Sequence, residues 1–284
     1  MASARPERRV RRTRRRRRRS DLVGRILAAI PAIAFAVFIV AEGGLVFVIG
    51  LLILGALGLA ELYNMMSRAR PVHPAGYIAL LALLLAAHYG DQYQVLLVLW
   101  ASLPLTFLLG VMRPRRENIS WGIAVTMLGI VWIGVAFAHA VFLRDLEHGG
   151  GLVLDVLIGT FVGDTAAYLG GRAWGRRPLA PTISPNKTLE GLLVGVLFGG
   201  LAFWLFAVAY QDWFVGTDAL IMGFAVAAAA PFGDLFESLL KRDLAVKDTG
   251  TLFGAHGGVL DRLDAVFFTA VVGYYVARAV GFTA

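Results

Sequence analysis

The chain has 284 residues, 58% of them hydrophobic and 16% charged, and its mean hydropathy is positive. Soluble domains are roughly 45–50% apolar and ~25% charged, so a water-soluble globule of this size is excluded for want of polar surface. The chain has no cysteine, which excludes a disulfide framework and a thiolate metal site.

The net charge of +8 belongs to one end of the chain. Residues 1–20 carry eleven arginines and one glutamate, and the rest holds sixteen Lys and Arg against eighteen Asp and Glu. The run Arg14 to Arg19 cannot bury apolar surface, so 1–20 is expected to be a disordered cytoplasmic tail. Its expected role is to set orientation and touch anionic headgroups of membrane lipids. Nucleic-acid binding is the alternative for such a run, and no nucleic-acid partner is expected. Nor is a cleaved leader, because the apolar stretch that follows runs straight into another.

A hydrocarbon core about 30 Å thick takes about 20 apolar residues per helix. Such stretches lie near 22–41, 44–63, 76–90, 93–112, 119–143, 152–171, 189–210, 218–240 and 258–282. The expected fold is therefore an all-α, polytopic membrane bundle of about nine transmembrane helices. It divides into N-terminal helices over 21–150 and a charge-bearing region over 151–284, with loops 172–188 and 241–257. Loop charge supports the count. With the tail inside, the cytoplasmic loops hold twelve cations, Arg68, Arg70, Arg113, Arg115, Arg116, Arg172, Arg176, Arg177, Lys187, Lys241, Arg242 and Lys247, whereas the opposite loops hold only Arg144. That asymmetry is what the positive-inside rule requires, with the N-terminus cytoplasmic. Gly191, Gly195 and Gly199 form a stripe on the seventh stretch that permits close helix packing, within one protomer or across a dimer seam.

An acid at mid-membrane costs about 2.5–3.5 kcal/mol. The chain nevertheless keeps Asp164, Asp234 and Glu237 inside apolar stretches, and Asp261 and Asp264 at the start of the last one. All five fall in the cytoplasmic half under this topology. Asp234, Glu237, Ser238 and Lys241 share one helical face, as do Asp261 and Asp264. Acids so close repel unless a cation intervenes, and a hard divalent ion with oxygen ligands is one solution. Ion pairing with Lys187, Arg242 or Arg262, serving only to hold the bundle, is the other.

The segment Thr182–Gly191 contains Ser184-Pro185, which is expected in a loop because the residue before proline avoids helix. Thr188 is placed to cap the next helix, and Lys187 beside free N–H groups suits a phosphate. A polar, glycine-containing connection then joins the last two acid-bearing stretches, with Lys247, Asp248, His256, Gly257 and Gly258. The two glycines would allow a triphosphate to approach closely, and His256 could donate a hydrogen bond or relay a proton.

These residues resemble the phosphatidate cytidylyltransferases, the CDP-diacylglycerol synthases of membrane lipid synthesis. The signature reads Ser238-x-Leu240-Lys241-Arg242, then Lys247-Asp248, then His256-Gly257-Gly258-x-x-Asp261-Arg262-x-Asp264. Gly163-Asp164-Thr165-Ala166-Ala167-Tyr168 and Ser184-Pro185-Asn186-Lys187-Thr188-Leu189-Glu190-Gly191 are further similar segments. The resemblance implies a CTP-dependent nucleotidyltransferase that makes CDP-diacylglycerol and pyrophosphate from CTP and phosphatidate. It implies Mg²⁺ on Asp234 and Asp261, alone or with a second ion such as K⁺. Lys187, Lys241, Arg242, Asp248, His256, Arg262 and Asp264 take catalytic roles, and Asp164, Ser184, Lys187, Thr188, Lys247, Gly257 and Gly258 bind substrate. It further implies a homodimer in the cell (inner) membrane with its active site facing the cytoplasm. A related enzyme acting on another lipid phosphate, and an anion transporter, are the rival expectations.

Overall fold

The computed structural model describes residues 30–114, 117–246, 248–250 and 257–283. Its helices are α1 (Ile30–Glu42), α2 (Gly44–Met65), α3 (His73–Tyr89), α4 (Gln92–Val111), α5 (Ile119–Gly129), α6 (Ala136–Asp145), α7 (Gly149–Trp174), α8 (Leu189–Tyr210), α9 (Gly216–Asp243) and α10 (Leu260–Ala279). The segment Ile130–Val135 is π-helical and joins α5 to α6 in one continuous rod. Each stretch expected from hydropathy thus contains a described helix. Among the described residues, six are long and apolar enough to cross a membrane: α2, α4, the α5–α6 rod, α7, α8 and α9. Helices α1 and α3 are apolar but shorter.

The packing core lies between α2, α3 and the α5–α6 rod. Leu59, Leu62, Tyr63, Leu80, Leu83, Leu84, Ile130 and Ile133 are fully buried there. Large apolar side chains such as Trp100, Phe107, Phe198, Leu205 and Ile221 point outward. An outward apolar surface on long helices is what lipid solvates, and the chain is a multi-pass membrane protein.

Close helix contact is glycine-dependent. A Cβ at Gly195 would stand 2.8 Å from Ala167 Cβ and 2.9 Å from Gly163 O, and one at Gly199 would stand 2.8 Å from Gly159 O. The stripe on α8 is therefore filled by α7 of the same chain. The π-helical segment turns Trp132 edge-on to Phe236 of α9 at 4.8 Å and to Phe267 of α10 at 5.6 Å. This seats α9 and α10 side by side just where their acids lie.

One expectation needs correction. The fold is nearly, not wholly, α-helical: residues around Pro185 form a small antiparallel hairpin, β1 (Pro178–Ala180) with β2 (Ser184–Thr188). Proline avoids helix but not an isolated two-stranded edge, where its missing N–H costs nothing. Glu190 Oε2 accepts the N–H groups of Arg176 and Arg177 at 2.9 and 3.1 Å, which ties the entry of the hairpin to α8.

Candidate active site

The C-terminal ends of α2, α7 and α9, the N-terminal ends of α8 and α10, and the hairpin lie at one end of the bundle, as the alternation of the chain requires. The charged residues singled out from sequence gather there as far as they are described. Thr188 has extended backbone and its hydroxyl accepts the Gly191 N–H at 3.1 Å, so it caps α8 as expected. This cap sets β2 against α9, and Lys187 forms an ion pair with Asp234. The Lys187 and Asp234 side chains stay 25% and 38% exposed, so the pair can be reached from outside.

A second, more enclosed group lies one turn further along α9. Lys241 Nζ donates to Glu237 Oε2 at 2.6 Å and to Asp261 Oδ1 at 2.9 Å. Only 2% of the Glu237 side chain and 12% of that of Asp261 are exposed. Asp261 Oδ2 also accepts Thr249 Oγ1 at 2.9 Å, Thr249 N at 3.1 Å and Gly258 N at 2.8 Å. One cation and three neutral donors thus hold a carboxylate at the first turn of α10. Gly257 has a φ of 80° and passes so near Asp261 that a Cβ would collide with its carboxylate. Gly233 plays a similar part, because its bare Cα lets the Asp264 backbone lie against α9 immediately before Asp234.

Asp164 of α7, Asp234 of α9 and Asp264 of α10 lie within range of mutual Coulomb repulsion, with Lys187 partly offsetting it. Glu237 Oε1 is buried and has no hydrogen-bond partner among the described residues. Among the described residues the cluster therefore holds more acids than cations, and its ligand atoms are hard oxygens, a chemistry that fits Mg²⁺. Among the described residues, no three His, Asp or Glu side chains already converge as a finished metal site. Asp234 and Asp261, expected to share one ion, each face their own lysine.

The remaining expected residues are placed as follows. Arg242 Nε donates to Ile183 O at 3.1 Å, joining α9 to the hairpin turn. Arg262 is exposed on α10, Asp248 is exposed in the connection, and Ser184 is half-buried at the start of β2. Lys247 and His256 lie outside the described residues. Two groups in the cluster escaped the sequence reading. Thr249 supplies two of the hydrogen bonds to Asp261. Glu61, in the last turn of α2, accepts the Val259 and Leu260 N–H groups at 3.0 and 2.9 Å. The available signal for Glu61 was a single acid within an otherwise uncharged helix, α2.

An apolar bundle with a cluster of acids and lysines gathered at one end defines a multi-pass membrane protein with a charged candidate site at one face. Residues 23–280 match the cytidylyltransferase family, and the chain belongs to that family. It is 39% identical over 155 residues to the uncharacterized protein YnbB of Escherichia coli, covering 52% of this chain and 51% of that one. To the phosphatidate cytidylyltransferase of Helicobacter pylori it is 39% identical over 147 residues, 51% of this chain and 53% of that one. To the phosphatidate cytidylyltransferase of Staphylococcus aureus it is 32% identical over 252 residues, 86% of this chain and 94% of that one. The match thus spans about half the length of the first two relatives and nearly all of the third.

Proposed function

We propose that the protein is a phosphatidate cytidylyltransferase, converting CTP and phosphatidate to CDP-diacylglycerol and pyrophosphate in membrane phospholipid synthesis. The observation that carries the reading is the meeting of Lys187, Asp234, Glu237, Lys241 and Asp261 at one end of the bundle, in a chain of the cytidylyltransferase family. A phosphate oxygen of phosphatidate attacks the α-phosphorus of CTP and forms the new P–O bond. The bond from that phosphorus to the bridging oxygen of the β-phosphate breaks, and pyrophosphate leaves with the electron pair. The nucleophile is already an anion, so no strong base is needed. The difficulty is to bring two polyanions together.

Lys187 and Lys241 meet that difficulty. Each now neutralises a carboxylate and can turn to a phosphate when one arrives, because ammonium groups on flexible stems re-aim easily. Arg242 and Arg262 stand at the same face for the pyrophosphate, and Asp164, Asp248 and Asp264 orient the cations. His256, Lys247, Ser184, Thr188, Gly257 and Gly258 complete the substrate contacts in this reading. Mg²⁺, alone or with a second ion such as K⁺, would be held by Asp234 and Asp261 and would supply charge neutralisation for the phosphate oxygens. In this reading nine helices span the cell membrane, the N-terminus and the site face the cytoplasm, and the enzyme is a homodimer.

The test is an assay of purified protein with α-labelled CTP, Mg²⁺ and phosphatidate, following label into the lipid phase, with a polyprenyl phosphate in a parallel tube. Label in the phosphatidate lipid alone supports the proposal. Label only in the polyprenyl product would shift the substrate to another lipid phosphate, and label in neither would end the cytidylyl-transfer reading.

A further inference from the structure

We propose that Glu61 is a positioning residue for the reaction, holding the start of α10 so that Asp261 stays within reach of Lys241. The kinetic part of this inference rests on the function proposed above, whereas its structural part stands on the contacts alone. Helix N-termini leave backbone N–H groups without partners, and α10 has no side-chain cap from its own N-cap residue, Val259. Glu61 supplies the missing acceptor from another helix. Its Oε1 takes the Val259 N–H at 3.0 Å, its Oε2 takes the Leu260 N–H at 2.9 Å, and Thr249 Oγ1 lies 3.5 Å from Oε2. A carboxylate at this place also meets the positive end of the helix dipole.

The same few atoms hold Asp261. Thr249 and Gly258 donate to Asp261 Oδ2, and the residue after Gly258 donates to Glu61. Glu61 grips this turn from α2, and Asp261 grips it from α10. Space has been left for the arrangement: a Cβ at Gly250 or at Gly258 would collide with the Glu61 carboxylate. The glycine at 258 is thus accounted for by an approaching acid. Glu61 is therefore the link by which α2, in the N-terminal half of the chain, sets the geometry of a charge cluster built by the C-terminal half.

Glu61→Gln keeps the size of the side chain but gives up its charge and one acceptor oxygen. Gly250→Ala leaves Glu61 intact and pushes it off the turn. Both should speed hydrogen exchange at the Val259 and Leu260 amides about tenfold or more, because a capped amide becomes an open one. Both should lower kcat roughly 10- to 100-fold, the scale of a small misplacement of a reacting group, with KM for CTP within about twofold of wild type. Unchanged exchange in both variants would overturn the proposal. So would a fall in kcat without faster exchange, or a loss of folded protein with kcat per folded molecule retained. Should the wild-type protein transfer no cytidylyl group, the function reading fails, and the exchange measurement still decides whether Glu61 holds the turn.

Discussion

The two ends of the bundle are made by the same helices, yet they dispose of charge in opposite ways. At the end away from the candidate site, the charged groups are met mostly one to one, although Asp155 Oδ2 and Gln211 Oε1 stay buried without a hydrogen-bond partner among the described residues. Arg144 donates to Val40 O at 2.8 Å and Ala41 O at 3.4 Å, closing the exposed carbonyls of α1. Asp155, fully buried, accepts Gln211 Nε2 at 3.0 Å, and Asp145 faces His88 at 3.8 Å. His148 stacks on Trp213 at 4.2 Å, and Trp213 and Phe214 pack on Phe282. That end is a plug of rings and one-to-one pairs.

At the other end, among the described residues, acids from α2, α7, α9 and α10 gather in greater number than the lysines paired with them, and hydrogen bonds cross between elements far apart in sequence. Burying like charges without full compensation is costly, so a fold that only needed stability could have used pairs like those of the plug. Charge paired one to one serves architecture, whereas acids in excess of their cations are where, in the function proposed above, an outside cation would complete the set.

The sharpest way to break this comparison is one conservative change at each end. Asp261→Asn should lower cytidylyl transfer at least about a hundredfold, the range seen when one preorganised electrostatic group is lost, with an unchanged elution profile in detergent. Asp155→Asn should leave kcat and KM at wild-type values. Equal losses in the two variants would erase the distinction between the ends. A smaller effect is expected at the exposed pair: Lys187→Met should raise KM for CTP roughly tenfold, from a lost charge-assisted contact of about 1.5–3 kcal/mol, measured by initial rates at varied CTP. An unchanged KM would remove Lys187 from nucleotide binding. The smallest effect on turnover is expected from Gly199→Leu, which crowds Gly159 near the middle of α7. It should cost about 1–3 kcal/mol of stability, read as a lower melting temperature in detergent, while the remaining folded protein keeps its kcat. A melting temperature equal to wild type would contradict the α7–α8 contact.

Some features were legible because their causes are local. The Thr188 cap follows from a hydroxyl placed three residues before a free N–H, and the Lys241–Glu237 pair follows from one helical turn. The hairpin was not legible. Pro185 signals only that helix is avoided, and a strand needs a partner, here Pro178–Ala180, that proline does not name. Glu61 was missed for a stronger version of the same reason: Val259 and Leu260 lie 198 and 199 residues away from it.

Sequence by itself determined that this chain is a membrane bundle and that its charge collects toward one end, because transfer from water to lipid sums over each stretch of about 20 residues regardless of neighbours. It also determined the family, through charged positions held at set spacing. Which carboxylates of other helices meet Lys187 and Lys241 was decided only by the tertiary structure. Ion pairs need atoms within a few ångströms, and that closeness depends on where bare glycine backbones let one helix lie against another.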